Sequence, residues 1–380
     1  MKKIAMSCIL AGALFAQESL RSSLGEDIYV QHMNGEVRAG WIEASGSDAT
    51  FALGGHIHFD TPSYRGLKAG LGFYTASDFG LGPKEANEDF FGTDKKGYTF
   101  VSEAYVEYSG VWDIKIGRQN LETPHADSDD IRMVPNYFEA AVARGELWGA
   151  KIEAGYITRM GGWENGGKPA KFVRLGKVFG VEQKTDGAAY VGVQGNFASV
   201  DLSVWGYHMA DMANVLYMEA AKELEWGSVQ QHFALQLDIA RSCEDKLLGP
   251  IHSKTAGIIS QTTYQGWTLT LAANKEYGKS GSMASFGGGP FFTSMEDLTI
   301  DALASEDAES YVAGVEYSYK EHTFGLMAGR FYDDRAFDAK EYDLYANVSL
   351  PYGFEAELVY AKIEENDDRH IARCILKRSF

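Results

Sequence analysis

Residues 51–59 read FALGGHIHF. Phe51, Leu53, Ile57 and Phe59 share one face of an extended chain, and Ala52, Gly54, His56 and His58 share the other. Successive side chains of a strand point to opposite sides, so this period of two predicts a β-strand with one apolar face. The second face decides the architecture. In a soluble sandwich that face meets bulk water and is dominated by lysine and glutamate. Here it is built from Gly, Ala and His, which suit a crowded, wet interior. The same division recurs in LKAGLGFYT (67–75), QHFALQLDIA (231–240) and YDLYANVSL (342–350), where Ser, Asn, Gln and Tyr join the second face. The apolar faces carry many of the 21 Tyr, 21 Phe and 7 Trp, often near strand ends, as in the aromatic girdles of a membrane barrel.

Eighteen alternating segments are predicted, the first near 34–45 and the last near 370–380. Every second connection is short: TPSYRG, SGVWD, GELWGA, ASVD, LEWGS, YQGW, YKEHT and LPYG. Many of the others are long: 78–97, 118–136, 160–187, 241–253 and 276–309. Short turns on one side and long loops on the other are the pattern of an outer-membrane barrel. The expected fold is therefore all-β, a transmembrane antiparallel β-barrel of eighteen strands with both termini on the periplasmic side. Phe380 closes the chain with the terminal aromatic of a barrel assembly signal, read by the barrel assembly machinery, although Arg378 stands where that signal prefers an apolar residue.

The N-terminus supports export. Lys2 and Lys3 precede a mainly apolar run from Ile4 to Phe15, followed by Ala16. This resembles a Sec signal peptide, predicted to be cleaved after residue 16, and is too short to span a bilayer as a helix. Residues 17–380 are then the barrel domain. No later run is apolar for the 18 or so residues that a membrane helix needs, and the mean hydropathy is below zero. The formal net charge of −18 disfavours nucleic acid or an anionic surface as a partner. Of three cysteines, Cys8 lies in the leader, and Cys243 and Cys374 lack any metal-binding spacing.

One connection stands apart. Residues 118–136 carry three aspartates, two arginines and two prolines between alternating strands. A loop this long inside a compact domain is functional or argues against the strands around it. An eighteen-stranded barrel is too wide for side chains to fill, so its selectivity needs an inserted constriction. A third loop folded inward would supply one, with Pro124 and Pro135 stiffening it and its charges facing water.

The run GRQNLETPHADSDDIRMVPNYFEAAV (117–142) resembles the corresponding segment of OprD-family outer-membrane porins, through Asp130, Arg132, Pro135 and Phe138. GEVRAGWIE (35–43) resembles that family's first strand, with Arg38 in the position of a wall arginine, and FGGGPFFTSMEDLTI (286–300) falls where the family has a long seventh loop. The resemblance implies a channel for small charged nutrients, with lumen arginines and lysines guiding a carboxylate.

Arg118 and Arg132 are the candidates for the positive side of the constriction, and Asp127, Asp129 and Asp130 for the negative side. Opposed charges across a narrow mouth make a transverse field that orients small zwitterions. Arg38, Lys68, Lys115, Arg159 and Lys275 are the candidates for a basic ladder along the lumen. Acidic outer loops pull towards cations and the resemblance towards carboxylates. The Asp127–Asp130 cluster lacks the glycine turn and distal Glu of an EF-hand, and His56 with His58 is an incomplete metal site, so neither metal nor cofactor is expected.

The expected activity is passive diffusion of small hydrophilic solutes and ions, with no catalysis. Outer-membrane lipid, lipopolysaccharide and the assembly machinery are the expected partners, and the barrel stands as a monomer or a homotrimer. A non-conducting structural or adhesive barrel is the rival reading. A barrel lipase would need Ser and His on one outward face, which the outward faces do not offer.

Overall fold

The computed structural model describes residues 32–380, apart from 304 and 336. The expected leader, residues 1–16, lies outside the described residues. Eighteen antiparallel strands close into one barrel, and strand covers 61% of the described residues. In chain order they are β1 (Met33–Ala44), β2 (Thr50–Asp60), β3 (Leu67–Ser77), β4 (Tyr98–Tyr108), β5 (Trp112–Gln119) and β6 (Tyr137–Leu147). Then follow β7 (Ala150–Gly161), β8 (Ala188–Phe197), β9 (Val200–Met209), β10 (Ala213–Trp226), β11 (Val229–Ser242) and β12 (His252–Tyr264). The last six are β13 (Trp267–Glu276), β14 (Glu309–Tyr319), β15 (His322–Tyr332), β16 (Asp338–Leu350), β17 (Phe354–Glu364) and β18 (Arg369–Ser379).

Each strand pairs with its sequence neighbours, and β1 pairs with β18 to remove the edge that an open sheet would leave. Phe380 completes the seam. Its amide donates to the Gly35 carbonyl at 2.9 Å, and the Gly35 amide donates to the Phe380 carbonyl at 3.0 Å.

The alternation read from the sequence is the alternation of the wall. Phe51, Val106, Ile116, Leu235, Ile258 and Leu344 stand exposed on the outside. A water-soluble monomer rarely shows such a continuous apolar face, whereas a lipid-facing wall requires it. Tyr108, Trp112, Trp226, Tyr264, Trp267 and Tyr319 ring the short-turn end at strand termini. The short turns are tight hairpins. In the turn between β8 and β9, Ala198 and Ser199 hold φ of 52° and 62°, the left-handed pair that matches the twist of flanking strands.

The interior holds the packed core. Phe90, Phe91, Leu121, Met133 and Phe286, all from connections at the long-loop end, are fully buried among inward wall residues such as Ile42 and Ile375. Several inward glycines receive a neighbouring ring. A Cβ on Gly70 would lie 2.3 Å from Tyr105, and one on Gly325 would lie 2.0 Å from Tyr345. Small residues here seat aromatic side chains flat against the wall rather than leave it bare.

Candidate functional site: the constriction inside the barrel

The third long-end loop, residues 120–136, folds into the lumen. Its tip is a two-residue ribbon, Glu122–Thr123 paired with Ala126–Asp127, turned at Pro124 and His125. Thr123 closes the turn by donating its hydroxyl to the Ala126 carbonyl at 3.0 Å. The tip is pinned to the far wall. His125 Nε2 lies 2.7 Å from Asp238 Oδ2 on β11, with both side chains wholly buried, and the His125 ring packs edge-on against Tyr207 at 5.4 Å. The other end is pinned to β1. Arg38 grips both Asp130 carboxylate oxygens at 2.6 Å and donates to the Arg132 carbonyl at 2.9 Å. The loop leaves the wall between β5 and β6 and is held at β1 and β11, so it crosses the channel.

The seventh loop, residues 277–308, meets it there. Ala126 and Phe286 form a parallel bridge, and the Asp127 amide donates to the Phe286 carbonyl at 3.1 Å. Glu296 from this loop accepts from Arg132 Nη1 at 2.8 Å and from Arg373 of β18. Arg132 also reaches Asp89 at 3.3 Å and lies 4.7 Å over the Trp163 ring. It is a buried keystone joining four segments, not a bare charge on the pore surface.

Between these loops and the wall of β16 to β18 lies a chamber of about 580 Å³. Its lining carries Asp129, Asp130, Glu164, Glu296, Asp297, Asp343 and Glu357, against Arg373 as basic residue. The basic groups nearby are committed: Arg38 to Asp130, Arg132 and Arg373 to Glu296, and Lys377 to Glu357 at 2.7 Å. Among the described residues, Asp129, Glu164 and Asp343 have no cationic side chain within salt-bridge distance. Burial pushes Asp129 up to about 6, with the neighbouring Asp127 adding to it, and the same loss of water beside Asp129 takes Glu164 to about 8. Burial likewise takes Glu296 to about 7 despite Arg132. Asp130 shows the opposite result: burial opposes its charge, but the Arg38 guanidinium wins and holds it below the usual carboxylate range.

The structure brings Arg38, Asp127, Asp129, Asp130 and Arg132 together at this constriction, and it sets Lys68 and Lys115 lower on the lumen wall. Lys68 reaches Glu107 at 3.5 Å, and Lys115 sits 3.6 Å over the Tyr105 ring. Arg118, Arg159 and Lys275 are corrections: all three stand on the outer face. Arg118 follows Gly117, which like Lys115 points inward, and it faces Glu139 and the Phe172 ring. A register shift in the β6–β7 ladder between Glu139 and Ala140 puts Arg159 opposite Glu139, outside. Lys275 alternates with the inward Asn274 and Glu276 and pairs with the outward Glu309. Sequence reading missed Arg373, Lys377 and Glu296. In IARCILKRS the spacing Arg373, Ile375, Lys377 was the available signal, hidden because apolar residues occupy both faces of that strand. His58 and His56 are absorbed by the wall: His58 hydrogen-bonds Glu103 at 2.9 Å, and His56 stacks on Tyr74 at 5.6 Å.

A profile of the family described as outer membrane porin, OprD family, matches residues 106–327, more than half of the chain. The chain belongs to the OprD family of outer-membrane porins. It forms an outer-membrane channel for small solutes, and porins conduct rather than catalyse. Solved structures agree in fold. OccK9 (OpdG) of Pseudomonas aeruginosa superposes with a TM-score of 0.80 at 15% identity, over 92% of this chain and 98% of that one. OccAB3 of Acinetobacter baumannii gives 0.79 at 11% identity over the same shares. OpdK of Pseudomonas aeruginosa, solved with vanillate, gives 0.77 at 17% identity, again over 92% and 98%. No curated protein sequence matches this OprD-family porin.

Proposed function

We propose that this porin favours small cationic solutes, those carrying an amine or guanidinium group, over carboxylates. The observation that carries the reading is the charge balance of the chamber. Its guanidinium and ammonium groups are each neutralised by a carboxylate of the protein, while Asp129, Glu164 and Asp343 face the space without a cationic partner. Once ionised, each of these carboxylates is an unmatched negative charge, and in a narrow, poorly hydrated mouth such a charge acts more strongly than in bulk water, attracting one sign of solute and repelling the other. Asp127 and Asp129 form the negative side, Asp130 is balanced by Arg38, and Arg38 and Arg132 act as positioning residues that hold the loop. Lys68 and Lys115 supply basic steps lower in the lumen.

The carboxylate preference implied by the family resemblance is the competing view. Liposomes carrying the purified protein separate the two by their swelling rates. Arginine and lysine should enter several-fold faster than glutarate of similar size, and the reverse order overturns the proposal. Residues 1–16 direct Sec export on this reading, and the assembly machinery inserts the barrel among outer-membrane lipids and lipopolysaccharide. Chemical cross-linking in intact membranes distinguishes a monomer from a homotrimer.

A further inference from the structure

The outer wall is not uniform. Across β12 to β16 a groove of about 620 Å³ opens on the outward face. Its floor is made of small residues in register. Ala273 sits opposite Ile258 and Tyr311, and Ala313 sits opposite Ala328, which faces Tyr342. One outward row closer to the short-turn end, Leu269, Val315, Leu326 and Leu344 restore a bulky ridge. The depression therefore comes from Ala273, Ala313 and Ala328, with Ser260 beside them, next to that bulkier row.

The other end of the groove is charged. Arg330 and Lys340 line it, directly opposite one another on β15 and β16, close to the long-loop rim. Around them each outward carboxylate is already engaged. Glu309 is held by Lys275 and the Tyr311 hydroxyl, Asp338 by Arg330 at 2.9 Å, and Glu364 by Lys362 at 2.6 Å. Lys340 makes no ion pair among the described residues, although Glu364 stands opposite it in the ladder, so its ammonium is the group at this rim open to an external anion. The Arg330–Asp338 pair is half exposed and screened by water, so a stronger anion displaces it readily.

We propose that this groove seats one lipopolysaccharide molecule, with a lipid A phosphate on Lys340 and Arg330 and the upper part of an acyl chain along Ala273, Ala313 and Ala328. The geometry selects an amphiphile with an anionic head at the outer interface and an apolar tail directed towards the bilayer midplane. Guanidinium and ammonium groups beside an apolar cleft fit phosphate joined to hydrocarbon. The groove lies at the extracellular end of the wall, where the outer leaflet presents lipopolysaccharide. The inference rests on the outer-membrane setting and is independent of the sign of the channel's selectivity.

Native mass spectrometry of the detergent-purified, full-length protein tests it, after incubation with rough-type lipopolysaccharide or with the same material enzymatically dephosphorylated. The wild type should retain a single intact glycolipid, with the dephosphorylated form retained roughly tenfold less. Ala313→Phe with Ala328→Phe should abolish retention by filling the floor, and Lys340→Gln should lower it roughly tenfold. Both variants should keep heat-modifiable mobility and wild-type conductance. If the double variant does not fold, Lys340→Gln and the dephosphorylated probe still decide. Retention of phosphatidylglycerol in preference, equal retention by all variants, or none by the wild type overturns the assignment.

Discussion

Asp238 and Arg38 hold the two ends of the constriction loop, and each makes a different prediction. The His125–Asp238 contact is wholly buried, so Asp238→Ala strands a buried imidazole. Leaving one partner of such a buried hydrogen bond unsatisfied costs about 1–3 kcal/mol. The tip should detach, and single-channel records should show larger, noisier currents than wild type. Arg38→Gln should release Asp130 to the chamber and shift the reversal potential further towards cations, because it removes the one group that satisfies both carboxylate oxygens. Arg118→Gln should leave selectivity untouched, since that side chain faces outward beside Phe172. The residue scale was also where the sequence was least legible. Asp127, Asp129, Asp130 and Arg132 were readable because they crowd a loop too long to be a turn. Arg118, Arg159 and Lys275 were misplaced because a bulge, or a single step of phase, moves a side chain through the wall. Arg132 lies in the inward loop, and its contacts were not visible, since Glu296 and Asp89 lie far from it in the sequence.

At the scale of elements, the strands were almost wholly legible and the loops were not. Period-two patterning fixes each strand's faces, and alternate short and long connections fix their order. Nothing in the sequence period shows that the second, third and seventh loops pack on one another inside the barrel. Gly40 shows how the wall permits this. A Cβ there would come within 2.5 Å of Met133 in the third loop and 2.8 Å of Phe90 in the short helix Glu88–Phe91 of the second. Gly40→Leu should therefore push both loops off β1 while leaving the barrel closed. Heat-modifiable mobility should survive, and conductance should change by more than the added side-chain volume accounts for.

For the whole molecule, the barrel inverts the usual arrangement, with its packed core in the lumen and its apolar face towards lipid. The consequence is a channel whose character is set by inward loops rather than by the wall. Asp129 at about 6, Glu296 at about 7 and Glu164 at about 8 give that character a pH dependence. Each is a carboxylate raised by burial, so it is neutral below its own value and charged above it. Cation preference should therefore grow as pH rises from 5 to 9, and Glu164→Gln should flatten the upper part of the rise. The most direct test of the cation-selective channel is the single-channel reversal potential of the purified protein in a planar bilayer under a salt gradient at neutral pH. The account predicts discrete conductance steps with a reversal potential on the cation side. Steps on the anion side, or a barrel with no steps at all, would contradict it.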